Sequence, residues 1–167
     1  MDVVDAYAPG RGAGVEKYRH YFAIYEKSLS HLRGRFFRML EIGIADGGSV
    51  DIWREWLGPR FEFHGIDIDA RARRFDKLGN STHGGARIHI GSQADPAFLR
   101  AVVRSAGDGF DVIIDDGGHT WEMQQTSFKE LFPLLKPGGM YIVEDTHTYA
   151  IPDQNFKITE LIFTDSD

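Results

Sequence analysis

Asp116 and His119 stand three residues apart just past an apolar run, within Phe110–Thr120, FDVIIDDGGHT, and a second acidic pair, Glu144-Asp145, follows another apolar run, Met140–Val143. Apolar, β-branched runs of this length read as strands buried on both faces. Ionisable residues at the C-terminal ends of such strands lie where open α/β sheets bind their ligands. If the two strands are neighbours, Asp116, Glu144 and Asp145 meet at one rim, where like charges raise one another's pKa. A hard divalent ion resolves that conflict. Oxygen donors without thiolates suit Mg²⁺ or Ca²⁺ better than Zn²⁺. Such an ion can orient two substrate hydroxyls and lower the pKa of one of them. His119, at a helix start, is placed to take the proton near neutral pH.

Plainer readings stand beside this one. His119 can cap the helix that follows, and Glu144-Asp145 can be a solvated strand end. Asp115 faces either a cofactor or the interior. Gln124 or Gln125 can face a substrate, His147 reads as a surface or supporting residue, and Tyr18, Tyr21 and Trp53 read as packing.

An upstream stretch, Met39–Ser49 (MLEIGIADGGS), repeats the form of strand, acid, glycine-rich turn and helix. Glu41 followed by Gly43, Gly47 and Gly48 lets the backbone approach a ligand and offers N–H groups at a helix N-terminus. Asp46 in the same loop would repel a pyrophosphate. A cofactor with a carboxylate, an ammonium and a ribose fits that polarity better. In the next strand, Phe61–Asp67, the terminal Asp67 can accept hydrogen bonds from a ribose diol, and Asp69 can do so or cap the next helix. The bland alternative is that the glycines only permit a tight βα turn.

The surrounding elements follow from periodicity. Val15–Leu32 has helical spacing, and strands are expected at Phe36–Ile42, Phe61–Asp67, Arg87–Ile90, Phe110–Asp115 and Met140–Val143. Helices are expected after Ser49, read as an N-cap, from Pro96 to about Ser105, and over Thr120–Leu135, with Lys136-Pro137-Gly138-Gly139 as a closing turn. This alternation argues an α/β fold: a parallel sheet of at least five strands with helices on both faces.

The 167 residues make one domain, with Met1–Gly14 loop-like and 146–167 holding a helix or an extended tail. A net charge of -6 argues against nucleic-acid binding, and the absence of Cys excludes thiolate chemistry. The N-terminus lacks the pattern of a secretory leader and no run is long enough to span a membrane, so a cytoplasmic protein without membrane contact is expected.

Over roughly Lys17–Ile151 the sequence resembles class I S-adenosylmethionine-dependent methyltransferases. It is most similar to the metal-dependent sugar O-methyltransferases of macrolide and related antibiotic biosynthesis, the mycinamicin and macrocin type. The blocks that carry this are LEIGIADGGS, FHGIDIDARA, RIHIGSQADPAFL, FDVIIDDGGHTWEMQQTSF and LFPLLKPGGMYIVEDTHT. The resemblance implies a Rossmann-like fold, with Glu41, Gly43, Ala45 and Gly47 along the methionine and ribose of S-adenosylmethionine and Asp67 on the ribose diol. It places Gly91, Ser92 and Gln93 beside adenine, Asp116, Glu144 and Asp145 on Mg²⁺, and His119 as general base.

The implied activity is methyl transfer to a sugar or vicinal-diol hydroxyl of a glycosylated or hydroxylated secondary metabolite, in a homo-oligomer. The alternative is a non-catalytic nucleoside-binding or auxiliary domain that partners a full-length enzyme. Two departures stand out. Ser92 occupies a position where the family commonly has an acid, and 22 residues after Asp145 cannot supply the usual helix and terminal hairpin. The expectation is a minimal or truncated domain, or a partner over the edge strand.

Overall fold

A computed structural model describes Val3, Lys17 and residues 19–76, 86–107, 109–146 and 160–164. Five parallel strands, β1 (Arg38–Ile42), β2 (Glu62–Asp67), β3 (Ala86–Ile90), β4 (Phe110–Asp115) and β5 (Leu135–Glu144), form a sheet with β6 (Glu160–Thr164). The order is β3-β2-β1-β4-β5-β6, and β6 runs antiparallel to β5. Helices α1 (Arg19–Leu29), α2 (Gly48–Leu57), α3 (Pro96–Ala106) and α4 (Trp121–Leu131) cover its faces, with a 3₁₀ segment at Ala70–Phe75.

Alternation along each strand sends side chains to two cores. Met39, Phe63, Val112, Ile114 and Ile142 pack with Phe22, Tyr25, Trp53 and Trp56 of α1 and α2. Leu40, Ile42, Ile66, Ile113 and Tyr141 pack with Leu99 and Val102 of α3 and Leu131 of α4. The α/β sheet with helices on both faces agrees with the sequence reading.

Several boundaries differ from it. Gly47, in the left-handed region at φ 79°, occupies the cap position of α2, so Ser49 lies inside the helix. The chain leaves α-helix at Leu131, because Pro133 in the following 3₁₀ turn has no N–H to continue the ladder. β5 begins at Leu135 rather than Met140. Its register against β4 jumps from Phe110↔Leu135 to Val112↔Met140, which accommodates Lys136-Pro137-Gly138-Gly139 as an irregularity within the strand.

Within the tail, Glu160–Thr164 forms a sixth strand, so β5 is paired on both sides. The expected loop at 1–14 and His147 lie outside the described residues, apart from a buried Val3. Among the described residues no helix is long and apolar enough to cross a membrane.

β1 and β4 are adjacent while the chain proceeds outward from them in opposite directions. That is the topological switch point of the sheet, where the loops diverge and leave a crevice. Gly43, at φ 88°, follows β1 there, and a Cβ on it would come 2.0 Å from the Asp116 carbonyl oxygen. The paired strand ends are closed by Gly43 N–H donating to Ile66 O and Asp116 N–H donating to Ile42 O. Gly43→Ala is expected to destabilise the fold by about 1–3 kcal/mol, through the backbone clash and the positive φ together. Urea melts of wild type and variant measure it.

Candidate active site

The crevice opens into a cleft of about 620 Å³ between the loops after β1, β2, β3 and β4. Gly43, Ala45, Asp67, Ser92, Gly117 and His119 are among its walls. Asp67 organises the near side: its Oδ2 accepts the N–H groups of Ile44 and Ala45, each at 2.9 Å, and its Oδ1 accepts that of Asp69 at 2.7 Å. A carboxylate has about four lone-pair sites, so acceptor capacity remains toward the cleft. Asp69 caps the 3₁₀ segment by accepting from Arg71 N–H at 2.9 Å. Asp46 is paired with Arg74 at 2.6 Å, so its repulsion of anions is weaker than the sequence alone suggests.

Gln93 spans the floor of the cleft. Its Nε2 donates to Asp115 Oδ1 (3.0 Å) and Ser127 Oγ (2.9 Å), while its Oε1 accepts Gly118 N–H at 2.6 Å. The fit is tight, since a Cβ on Gly117 would lie 2.0 Å from that Oε1. Asp115 is fully buried beneath it, also accepting from Tyr141 OH at 3.3 Å, and burial pushes its carboxyl up. Asp115 therefore supports the glycine turn from behind and does not line the cleft. Period-two alternation is the reason: Asp115 faces the core of α3 and α4, and Asp116 the other side.

On that other side three carboxylates converge. Glu41, Asp116 and Glu144 surround the ammonium of Lys17, two residues before α1. Lys17 Nζ lies 2.7 Å from Asp116 Oδ2, 2.9 Å from both Glu144 oxygens and 3.8 Å from Glu41 Oε1. Burial works against the charge on Lys17, but attraction to Glu144, Asp116 and Glu41 prevails and holds its pKa above the ordinary value. Tyr25 OH also donates to Glu144 Oε1, and burial pushes both of these groups up. Glu41 is fully buried, its Oε2 accepting from Ser49 Oγ at 2.9 Å and Trp53 Nε1 at 3.0 Å. It stands behind the cleft and not in its wall.

The outer cluster faces the cleft. Asp116, His119 and Asp145 each present a ligand atom, all within 4.8 Å of one another. His119 Nε2 is 3.8 Å from Asp116 Oδ1 and 3.7 Å from Asp145 Oδ2. Tyr21 OH donates to Asp145 Oδ1 at 2.7 Å and accepts Asp145 N–H at 2.9 Å, fixing that residue. Burial, then the bond to Asp145, pushes the Tyr21 hydroxyl pKa up. Among the described residues, three non-glycine residues have left-handed backbone, Ala45 (φ 45°), His119 (φ 53°) and Asp145 (φ 55°), and all three line this cleft. Residues with side chains adopt that conformation rarely and at a cost, and they cluster at functional sites. The oxygen donors and partial exposure of Asp116 and Asp145 fit a hard divalent ion.

Of the residues singled out in the sequence, Gly43, Ala45, Asp67, Ser92, Gln93, Asp116, His119 and Asp145 border one cleft. Gly47 is buried beside it, where a Cβ would strike the Phe75 ring. Glu144 is close by but turned inward to Lys17. His119 is not the helix cap; Thr120 is, its Oγ1 accepting from Met123 N–H at 3.3 Å. Gln124 is buried and donates to Glu144 O at 2.9 Å, and Gln125 is exposed. Sequence reasoning missed Lys17 and Tyr25 as polar partners and took Tyr21 and Trp53 for packing alone. One signal was present: Lys17, Tyr21 and Tyr25 recur every four residues, the spacing of one helical face.

Residues 40–146 match the family model described as "Methyltransferase domain". The chain belongs to that family. It is 38% identical over 143 residues to the 8-demethyl-8-(2-methoxy-alpha-L-rhamnosyl)-tetracenomycin-C 3'-O-methyltransferase of Streptomyces olivaceus, which covers 80% of this chain and 34% of that protein. It is 35% identical over 141 residues to the mycinamicin VI 2''-O-methyltransferase of Micromonospora griseorubida, covering 80% and 33%. Among solved structures, the MycE methyltransferase of the mycinamycin pathway, in complex with Mg, SAH and mycinamycin VI, superposes with a TM-score of 0.70 at 31% identity. That match covers 87% of this chain and 37% of MycE. This methyltransferase domain thus spans about a third of the length of the curated relatives it matches.

The buried Glu41 gives the domain a pH signature. Burial raises its pKa from 4.5 to about 7, against the pull of Lys17 and the bonds from Ser49 and Trp53. The unfolded chain ionises first as pH rises, so Glu41 leaves stability intact below about pH 4.5 and removes it progressively up to about pH 7. Glu41→Gln does not titrate and keeps an oxygen for Ser49 and Trp53. Between about pH 4 and pH 8 the stability difference is expected to move in its favour by on the order of 3 kcal/mol. Denaturant melts of both proteins at the two pH values check this.

Proposed function

We propose that the chain is the catalytic domain of an S-adenosylmethionine- and Mg²⁺-dependent O-methyltransferase, acting on a sugar or vicinal-diol hydroxyl of a secondary metabolite. The observation that carries this is the outer cluster of Asp116, His119 and Asp145 on the wall of a cleft whose other wall presents Asp67. Supporting it, the named relatives are O-methyltransferases, one of them of a rhamnosyl compound, and MycE was solved with Mg and SAH.

In this reading Gly43, Ala45 and Gly47 pass along the methionine and ribose of the cofactor, and Asp67 accepts from the ribose diol. Ser92 and the backbone beside Gln93 border the adenine, since the Gln93 amide is engaged with Asp115, Ser127 and Gly118. Glu41 and Asp115 act from behind, fixing the two turns. Asp116 and Asp145, with Glu144 as third carboxylate, would hold the cation. When bound, that cation orients the acceptor's hydroxyls and lowers the pKa of one of them. His119 then receives the proton on Nε2, the imidazole atom that faces Asp116 and Asp145. A sulfonium methyl needs no further activation, so the remaining contribution is alignment.

His119→Ala is expected to lower turnover by about 10²–10⁴-fold with a diol acceptor while S-adenosylmethionine affinity stays within about twofold. Rate assays and calorimetric titration of cofactor, with and without Mg²⁺, measure the two quantities. Retained turnover would remove His119 as the base. Cofactor binding in the unaltered chain without transfer to any diol would leave the nucleoside-binding reading.

A further inference from the structure

The inner and outer clusters share one carboxylate, and that sharing has a consequence for cation loading. Lys17 Nζ has three N–H donors, and its close partners are the three oxygens Asp116 Oδ2, Glu144 Oε1 and Glu144 Oε2. The outer cluster offers one carboxylate oxygen each from Asp116 and Asp145 at ligand spacing. Mg²⁺ demands six oxygens at about 2.0–2.1 Å and dehydrates reluctantly, so two carboxylate oxygens alone make a weak site. A fuller set needs Glu144 and the second oxygen of Asp116, which are the atoms that Lys17 holds. An ammonium and a divalent cation cannot share them, because the two positive charges would stand side by side and repel.

We infer that Lys17 is an intramolecular occupant of the cation site, and that Lys17 and the divalent ion exclude each other from Asp116 and Glu144. The inference rests on the proposed metal reading and adds to it. Lys17 is anchored by a flexible four-carbon stem just ahead of α1, so it can leave without disturbing the sheet. Its position suits a stand-in. The side chain is 4% exposed, and without a cation the buried carboxylates would repel one another. Loading of the ion is thereby linked to withdrawal of Lys17 from beneath the cleft.

The test uses the full chain and Mg²⁺ alone, with two readouts. Reductive methylation followed by mass spectrometry is expected to leave Lys17 unmodified without Mg²⁺ and to modify it at saturating Mg²⁺. Calorimetric titration is expected to show Lys17→Met binding Mg²⁺ at least about tenfold more tightly than wild type, because the competing state is removed. Mg²⁺ binding by the variant alone supports the inference equally. Protection of Lys17 that persists with Mg²⁺ bound would overturn it, as would unchanged or weaker Mg²⁺ binding by the variant. If Lys17→Met does not fold, the labelling of the unaltered chain decides. If neither protein binds Mg²⁺, the metal reading falls and the inference with it, a result distinct from failure of the exchange alone.

Discussion

Negative charge gathered in a dry place is the constraint from which this domain can be understood. Parallel strands place their C-terminal ends side by side, and period-two alternation turns Glu41 of β1 and Glu144 of β5 to the same face, with Asp116 just past β4. Carboxylates so placed are tolerable only with a cation or with protons. Lys17 supplies the first, the upward shifts of Glu41 and Glu144 reflect the second, and the hydroxyl of Tyr25 offers a further hydrogen bond. Helix α1 is therefore attached to the sheet by polar contacts as well as by its apolar side chains, since Tyr21 and Tyr25 both reach strand-end carboxylates.

The cleft forms where the sheet's winding reverses, and its two sides are built differently. Toward β2 and β3 the loops are fixed by acceptors: Asp67 gathers three backbone N–H groups, and Gln93 binds the glycine turn after β4 to the buried Asp115. Toward β5 the rim is made of ionisable side chains on strained backbone. A polar, hydrogen-bonding side beside a charged side suits a ligand that is recognised at one end and reacts at the other. The proposed pairing of a nucleoside donor with a hydroxyl acceptor has that form.

Much of this was legible in the sequence. The runs ending at Ile42, Asp67, Ile90, Asp115 and Val143 read as strands, and residue types at or just past their ends pointed to Asp67, Asp116, His119 and Asp145, which border one cleft. Contacts between distant segments were not legible. Nothing local tells that Lys17 reaches Asp116 across 99 positions or that Tyr21 grips Asp145 across 124. Glu144 and Asp145 look equivalent in sequence, yet one lies on the strand and turns inward, whereas the other has left-handed backbone and faces the cleft. Ser49 looked like a helix cap because its type suits one. A glycine turn displaced the cap by two positions and left the serine to bind Glu41.

Ala45, His119 and Asp145 keep side chains in a backbone region that glycine enters freely. In the proposed reading the cleft uses the imidazole of His119 and the carboxylate of Asp145, so glycine would relieve the backbone only by deleting that chemistry. Ala45 has no such duty, and its neighbour Asp46 carries the local charge. Stability and activity thus pull in opposite directions at two of these positions and are free to part at the third. Selection for thermal endurance alone would erode the rim at His119 and Asp145, whereas change at Ala45 would leave the ionisable groups in place.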